Sequence, residues 1–250
     1  NHPTWVAYAK QFGLEFLDVS EEDAEAPVVL GGKRLTSDES DALWEEMEAA
    51  FNQILKDAAT VTDAAEPWNT PNALALDKRT LGAWIDGLSV SPLCKSGLHT
   101  MMTADNGVVT QWQSYLGNLA MVKGGGLEKY WSESEVYRCK GGNQQLATKL
   151  AAAVGSARVL TRMPVRAIAV DDRLARVTLA DGKVLEADHV VLTVPPPVWN
   201  KIAITPVLPP GLAPQMGTNV KFLIGLRSRF WRRVELAPDL LSDGPVNMTW

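Results

Sequence analysis

The sequence predicts an α+β fold in which a mixed sheet is flanked by helices. Apolar residues recur at helical spacing through most of residues 1–136. Residues 157–194 instead contain short runs of β-branched and aliphatic residues separated by turn signals, and residues 209–250 mix strand-like stretches with loops. We therefore divide the chain into residues 1–136, 137–208 and 209–250.

Composition limits the classes of function. The chain has 250 residues, of which 46% are hydrophobic and 21% charged, so it is long enough for one large or two smaller hydrophobic cores. A formal charge of -5, without any long Lys/Arg block, argues against a nucleic-acid partner. No apolar run approaches the roughly 20 residues that a membrane-spanning helix needs. No signal peptide opens the chain, so any targeting signal would lie outside it.

Three elements are predicted at the start of the chain. Pro3 suits the first turn of a helix that ends before Gly13. Two β-prone runs within residues 26–35 surround a glycine pair and predict a hairpin. Thr36 and Glu39 have capping-box spacing, and apolar residues then recur every three or four positions for about five turns. We interpret that apolar stripe as hydrophobic core.

Further helices are predicted between residues 80 and 124. Residues 80–88 form a short one, Ser91 and Pro92 begin the next, and residues 108–122 carry another apolar face. His99 lies alone among apolar residues of the middle helix, which favours a hydrogen-bonded structural role over ligand binding. No carboxylate or cysteine stands at ligand spacing from a histidine, so no metal site is predicted. The two cysteines show no metal or redox spacing and are expected to be reduced.

Residues 137–197 combine helix, hairpin and strand signals. A glycine pair precedes a helical run, Gln144–Val154. Asp181-Gly182 suits a type I′ hairpin turn. Strands are predicted at residues 157–160, 165–170, 174–179 and 183–186. The continuous apolar run 189–194 predicts a strand covered on both faces, which three prolines then terminate.

Lys221 lies in the alternating run 219–224, which predicts a strand with two apolar faces. A lysine in such a strand is either an edge-strand residue that discourages aggregation or a buried group whose ammonium is held by specific partners. Both interpretations remain open on the residues alone.

The order of several short motifs resembles the flavin-containing amine oxidase family, and the similarity extends over nearly the whole chain. The motifs are Asn1-His2-Pro3 with Phe12-Gly13-Leu14, Gly141-Gly142 with Leu146 and Leu150, residues 165–170, Asp181-Gly182, residues 187–195, 206–209 and 216–221, and Phe230-Trp231. The resemblance implies a substrate domain formed by residues 1–136 and 209–250, with residues 137–208 as an inserted piece of an FAD domain.

The resemblance also implies a reaction and a set of site residues. The family transfers a hydride equivalent from the amine-bearing carbon to flavin N5 of FAD, and O2 reoxidises the flavin with release of hydrogen peroxide. The implied partners are a small-molecule amine or amino acid and O2, while oligomerisation stays open. Val165 matches the position whose backbone meets the adenine of FAD, and Thr193, Val194 and Pro195 match the segment that passes close to the cofactor. Lys221 matches the catalytic lysine that holds a water at flavin N5.

Two parts of the family pattern have no match in the chain: the glycine-rich βαβ unit that binds the pyrophosphate and the C-terminal segment that completes the flavin site. The chain is therefore expected to be the middle section of a longer protein, inactive alone and holding FAD weakly or not at all. Two alternatives are a flavoenzyme similar to desaturases or protoporphyrinogen oxidase, and a non-catalytic binding module that lost its cofactor site.

Overall fold

The computed structural model describes residues 2–19, 24–134 and 136–250, and the chain divides into two compact units. The first unit comprises Asn1–Asn143 and Gly217–Trp250, and the second comprises Gln144–Met216. The α-helices are α1 (Pro3–Gln11), α2 (Ser37–Ala59), α3 (Ala73–Lys78), α4 (Leu81–Asp86), α5 (Pro92–Asn106), α6 (Tyr115–Gly124), α7 (Glu128–Ser132) and α8 (Gln144–Val154). The strands are β1 (Phe16–Asp18), β2 (Val28–Leu30), β3 (Lys33–Arg34), β4 (Tyr137–Cys139), β5 (Val165–Val170), β6 (Ala175–Leu179), β7 (Val184–Ala187), β8 (Ala203–Thr205), β9 (Leu240–Ser242) and β10 (Met248–Thr249). Helices and mixed sheets occur together, which confirms the predicted α+β class.

Local capping signals explain where the helices begin. At the start of α2, Thr36 Oγ1 accepts from the Glu39 backbone N–H at 3.3 Å, and Glu39 Oε2 accepts from the Thr36 backbone N–H at 2.9 Å. This is the predicted capping box, which satisfies two N–H groups that have no partner within the helix. Ser91 Oγ caps α5 in the same way, because it accepts from the Cys94 N–H at 3.0 Å.

Among its described residues the first unit contains two sheets. In the larger one the strand order is β10-β9-β2-β3, with β2 antiparallel to β3 and parallel to β9. Gly31 and Gly32 connect β2 to β3 with φ values of +61° and +72°, which confirms the predicted hairpin. The smaller sheet pairs β1 with β4. The main core lies among α2, α4, α5, α6 and the strand β2, and its largest fully buried side chains include Met47, Ile54, Leu81, Ile85, Leu98, Tyr115 and Leu119.

The second unit is a four-stranded sheet preceded by α8. Its strand order is β7-β6-β5-β8, in which β5, β6 and β7 form an antiparallel meander and β8 runs parallel to β5. Gly182, between β6 and β7, has a φ of +85°, whereas Asp181 is not among the residues with positive φ. The predicted type I′ turn is therefore wrong, since that turn requires positive φ at both central residues. The Leu179 N–H instead donates to Lys183 O at 2.8 Å, which closes a longer loop.

Three predicted strands, residues 157–160, 189–194 and 219–224, are wrong. Within the described parts of the chain none of these stretches is paired with a neighbouring strand, and a strand forms only when its backbone groups have such a neighbour. Val191 is 83% exposed and Leu223 is 87% exposed, so the apolar runs themselves remain uncovered.

None of the helices described combines the length and the apolar character that crossing a membrane requires.

Candidate functional site

Lys221 lies in the first unit, is exposed and belongs to no strand. Its Nζ is 4.9 Å from the centroid of the Trp250 ring, and the guanidinium carbon of Arg138 is 5.9 Å from the same centroid. The interpretation of Lys221 as a buried ammonium is therefore wrong, and so is the edge-strand interpretation, because the strand does not form. What the structure provides is an accessible ammonium resting on an indole face.

The segment that leads to Lys221 is held against the end of α5. The Thr218 N–H donates to Gly107 O at 2.6 Å, and Gly107 ends α5 with a φ of +70°. A Cβ at residue 107 would lie 2.6 Å from Asn219 Oδ1, and a Cβ at residue 217 would lie 3.0 Å from Gly107 O. Glycine at both positions therefore permits the close approach of the two backbones.

Val165 begins β5 in the second unit and is half-buried. It pairs with Leu179 of β6, and the register shifts between Val165 and Ala167. On the other side of β5, β8 pairs only with Ala167–Ala169. Within the described residues β8 does not reach Val165, so the edge of β5 that faces β8 has no strand beside it at Val165.

Thr193, Val194 and Pro195 are exposed and follow β7 without forming a strand. The indole N–H of Trp199 donates to Val194 O at 2.8 Å, and the Val198 N–H donates to Pro195 O at 3.1 Å. These bonds join the segment to the 3₁₀ helix Pro196–Lys201 that follows it. Val165 and residues 193–195 thus belong to the second unit, whereas Lys221 belongs to the first.

The fit of these residues to FAD is partial. The open strand edge at Val165 and the accessible segment 193–195 suit backbone contacts to a dinucleotide. The chain has no GxGxxG motif, so it does not itself supply the glycine turn that usually holds a pyrophosphate at a helix N-terminus.

A cluster of three carboxamides, the amide cluster (Asn106, Gln113 and Asn118), was not anticipated from the sequence. Asn106 Nδ2 donates to Gln113 Oε1 at 2.7 Å and to Asn118 Oδ1 at 3.0 Å. Gln113 and Asn118 are only 6% and 4% exposed. Their polarity within the apolar stretch 108–122 was the signal that could have indicated them, because buried amides are kept only where their hydrogen bonds are satisfied.

His99 has the structural role that the sequence predicts. Its Nδ1 lies 2.6 Å from Thr110 Oγ1 and its Nε2 lies 3.1 Å from Asp86 Oδ1. These bonds join α5 to α4 and to the turn before α6. Among the residues that the structure describes, no group of three or more His, Cys, Asp or Glu side chains could hold a metal ion.

Burial and hydrogen bonding shift several pKa values, those of Tyr115, Cys94 and Asp171 the most. Burial, followed by the hydrogen bond to Asp57, raises the pKa of Tyr115 far above its usual range. Burial raises the pKa of the Cys94 thiol to about 11, with the nearby charge of Glu46 as the smaller cause. The Arg173 backbone N–H is the largest cause that lowers the pKa of Asp171, which falls to about 2. None of the three belongs to the predicted flavin residues.

Three comparisons with known proteins point to the same family. The family model described as "Flavin containing amine oxidoreductase" matches residues 1–250. A "Probable flavin-containing monoamine oxidase A" from Dictyostelium discoideum is 26% identical over 155 residues, which cover 60% of this chain and 30% of that protein.

Among solved structures, wild-type putrescine oxidase bound to putrescine is 23% identical and superposes with a TM-score of 0.79 over 99% of this chain and 58% of its own. Cyclohexylamine oxidase from Brevibacterium oxydans IH-35A is 19% identical, with a TM-score of 0.75 over 96% of this chain and 56% of its own. The chain thus spans less than two thirds of the length of the relatives it matches. Since the family model matches its entire length, the chain belongs to the family of flavin-containing amine oxidoreductases.

Proposed function

We propose that this protein carries out the oxidative deamination of a small-molecule amine as part of an FAD-dependent oxidase. The observation that carries the proposal is the family match over all 250 residues. The named substrates of the two structural neighbours, putrescine and cyclohexylamine, are primary amines, and they support an amine as the substrate class. An amino acid is the other substrate class to be tested.

The two units have different proposed roles, one in substrate binding and the other in cofactor binding. The first unit contributes to the substrate domain, for which residues 1–136 and 209–250 are predicted. The second unit contributes to the FAD domain, for which residues 137–208 are predicted. When bound, FAD supplies the acceptor for a hydride equivalent from the amine-bearing carbon, and O2 restores it with release of hydrogen peroxide.

In this proposal Lys221 holds and orients a water molecule near the reacting atoms through its three N–H donors. Its contact with Trp250 is compatible with that role, because a cation–π contact at an exposed site is worth only about 0.5–1 kcal/mol and the ammonium remains able to take another partner. Val165 would contact the cofactor through its open backbone edge, and Thr193, Val194 and Pro195 would line it.

The reaction is tested with the complete enzyme and a peroxide assay. Putrescine, cyclohexylamine and a panel of amino acids are each supplied under air. We expect peroxide with at least one amine. Flavin reduction with an amine but without peroxide would favour a dehydrogenase, a desaturase-like or a protoporphyrinogen-oxidase-like flavoenzyme. No flavin in the purified complete protein would favour a binding module that lost the cofactor site.

The role of Lys221 is tested by Lys221→Met in the complete enzyme, with the exposed Lys10→Met as the control for loss of one charge. Stopped-flow absorbance follows flavin reduction and reoxidation separately. We expect Lys221→Met to slow one of these steps by at least about tenfold while leaving the melting temperature nearly unchanged. Unchanged kinetics would remove Lys221 from the mechanism without affecting the family assignment.

The expectation that this chain alone holds FAD weakly or not at all has its own test. The purified 250-residue chain is mixed with FAD, passed through a desalting column and scanned for flavin absorbance. Little flavin should remain, because the chain has no glycine-rich phosphate turn. Retention of one flavin per chain would contradict this.

A further inference from the structure

The amide cluster borders a surface pocket of about 270 Å³ between the end of α5 and the first turns of α6. The pocket is lined by Asn106, Gln113, Ser114, Gly117, Asn118 and Met121. Its volume lies just below the range of about 300–1,000 Å³ typical of ligand sites, so it suits a ligand of few heavy atoms.

Backbone carbonyls fix the orientation of two of the amides. Gln113 Nε2 donates to Met102 O at 3.0 Å and to Val108 O at 2.7 Å, so Gln113 Oε1 is left as an acceptor. Asn118 Nδ2 donates to Ser114 O at 3.0 Å, so Asn118 Oδ1 is likewise an acceptor. Since a backbone carbonyl can only accept, neither side chain can be turned over.

The third amide must then point its nitrogen at those oxygens. Asn106 Nδ2 uses both hydrogens on Gln113 Oε1 and Asn118 Oδ1. The remaining hydrogen of Asn118 Nδ2 goes to Gln113 Oε1 at 3.3 Å, and the Ser114 hydroxyl donates to Asp77 Oδ1 at 2.7 Å. Every side-chain N–H and O–H of the pocket is therefore engaged within the described structure, whereas Asn106 Oδ1 accepts no bond there.

We propose that this pocket binds a primary alkylammonium ion. A pocket whose side-chain donors are all used, and two of whose amide oxygens, Asn106 Oδ1 and Asn118 Oδ1, retain a free lone pair, favours a ligand that brings N–H groups. Asn106 Oδ1 and the second lone pair of Asn118 Oδ1 would accept from the ammonium. Gly117 and the 42% exposed Met121 would contact the alkyl chain. Binding requires no flavin and so goes beyond the proposed function.

The carboxylate that contacts the pocket has the sign that this ligand requires, while the Arg79 guanidinium lies over the ring of the neighbouring Tyr115. Asp77 contacts the pocket through Ser114, and no lysine or arginine is among the lining residues. A carboxylate ligand of the same length would find no free side-chain donor and a carboxylate nearby, so it should be rejected. A neutral alcohol could donate one hydrogen bond and should bind more weakly than the ammonium.

The test titrates the 250-residue chain with n-butylammonium, n-butanol and butyrate at pH 7 and constant ionic strength. Carbon-13-labelled methionine methyl groups report binding, and Met121 is identified by the signal that Met121→Ala removes. We expect the Met121 methyl signal to shift with n-butylammonium, to shift less with n-butanol and to stay in place with butyrate. Equal response to butyrate, or no response to the ammonium, would overturn the proposal.

Two variants locate the site. Gly117→Leu should fill the pocket and weaken n-butylammonium binding at least about tenfold, a change of one power of ten in the dissociation constant. The fold should survive, because the nearest atom to a Cβ at Gly117 is Ser114 Cβ at 3.6 Å and leucine is a better helix former than glycine. Ala151→Leu in α8 is the matched control and should bind normally. Binding that Gly117→Leu leaves unchanged places the ligand elsewhere and refutes the proposal.

Asp77→Asn tests whether the negative charge of Asp77, apart from the shape of its side chain, contributes to ligand binding. The variant keeps an oxygen that can accept from the Ser114 hydroxyl but removes the negative charge. The binding of n-butylammonium should become about two- to fivefold weaker, as expected for the loss of an exposed charge pair, and the binding of n-butanol should not change. An equal loss for both ligands would show that the charge plays no part and would contradict the proposed ammonium selectivity.

Discussion

Gly82 of α4 packs so closely against the turn before α6 that a single added methyl group should destabilise the protein. A Cβ at residue 82 would lie 3.2 Å from each of three atoms, the Gln111 backbone N, Gln111 Nε2 and Thr110 Oγ1. The backbone nitrogen cannot rotate away. Thr110 is only 1% exposed, and its hydroxyl oxygen lies 2.6 Å from His99 Nδ1, so it has little freedom to move.

The size of the effect follows from two opposing contributions. Replacing glycine by alanine within a helix stabilises by up to about 1 kcal/mol. Overpacking a filled site by one methyl group costs about 1–3 kcal/mol. With a helix contribution of about 0.5–1 kcal/mol, Gly82→Ala should therefore lower the free energy of unfolding by about 0–2.5 kcal/mol. Gly117→Ala, whose Cβ meets only ordinary contacts at 3.6 Å or more, should raise it by about 0.5–1 kcal/mol.

Urea unfolding followed by far-UV circular dichroism measures both variants, and their difference of about 1–3 kcal/mol is the quantity to test. Gly97→Ala should change the free energy of unfolding by an amount between those of the other two variants. The closest atom to its Cβ is Met47 Sδ at 3.1 Å, and a methionine side chain can adjust. If Gly82→Ala is as stable as Gly117→Ala, the argument from crowding is wrong.

Three further predictions concern titratable groups. Tyr115→Phe should lower the free energy of unfolding by about 1–3 kcal/mol, because it removes the 2.6 Å hydrogen bond from the phenol to Asp57 Oδ2; urea unfolding that shows no change would contradict this. The pKa of Asp171 is lowered to about 2 in the folded chain, so its contribution to stability is complete above the ordinary value of 3.8 and is lost as the pH falls through about 2. A carbon-13 titration of its carboxyl group should give that low midpoint, and a midpoint near 3.8 would refute the hydrogen-bonded turn. In a Cys139→Ala variant, the remaining thiol of Cys94 should react with Ellman's reagent at pH 8 only as fast as the protein unfolds, since the thiol is buried and its pKa is raised to about 11. Rapid labelling of the folded protein would show that this thiol is accessible.

The sequence predicted elements whose signals are local. The capping box at Thr36 and Glu39, the glycine pair between β2 and β3, and the Ser91-Pro92 start of α5 each involve residues within a few positions of one another. Such elements form wherever their own residues favour them. The prediction of helices and hairpins therefore succeeded in most of the first unit.

Strands that need a distant partner were harder to predict. Residues 189–194 and 219–224 have strand-like composition, but composition does not show whether another strand lies beside them. The opposite case is β9, whose pairing with β2 depends on residues far apart in the sequence and was not predicted. Whether a stretch had a neighbouring strand to pair with, more than its residue composition, decided which strand predictions were correct.

The candidate site was predictable only through resemblance. No periodicity indicates the role of Val165, and the alternation around Lys221 predicts a strand that does not form. Their assignment to cofactor binding and catalysis stays a prediction. The amide cluster was missed for a different reason: Asn106 and Asn118 come together only when the end of α5 folds against α6.

The parallel pairing of β2 with β9 has a consequence for the order of events during synthesis. The larger sheet of the first unit needs both Val28 and Leu241, so it cannot be completed until nearly all of these 250 residues have left the ribosome. The meander β5-β6-β7 needs only neighbouring residues and can form as soon as it emerges. Until β9 has emerged, the edge of β2 that pairs with it should stay open in the nascent chain, where it could pair with another strand.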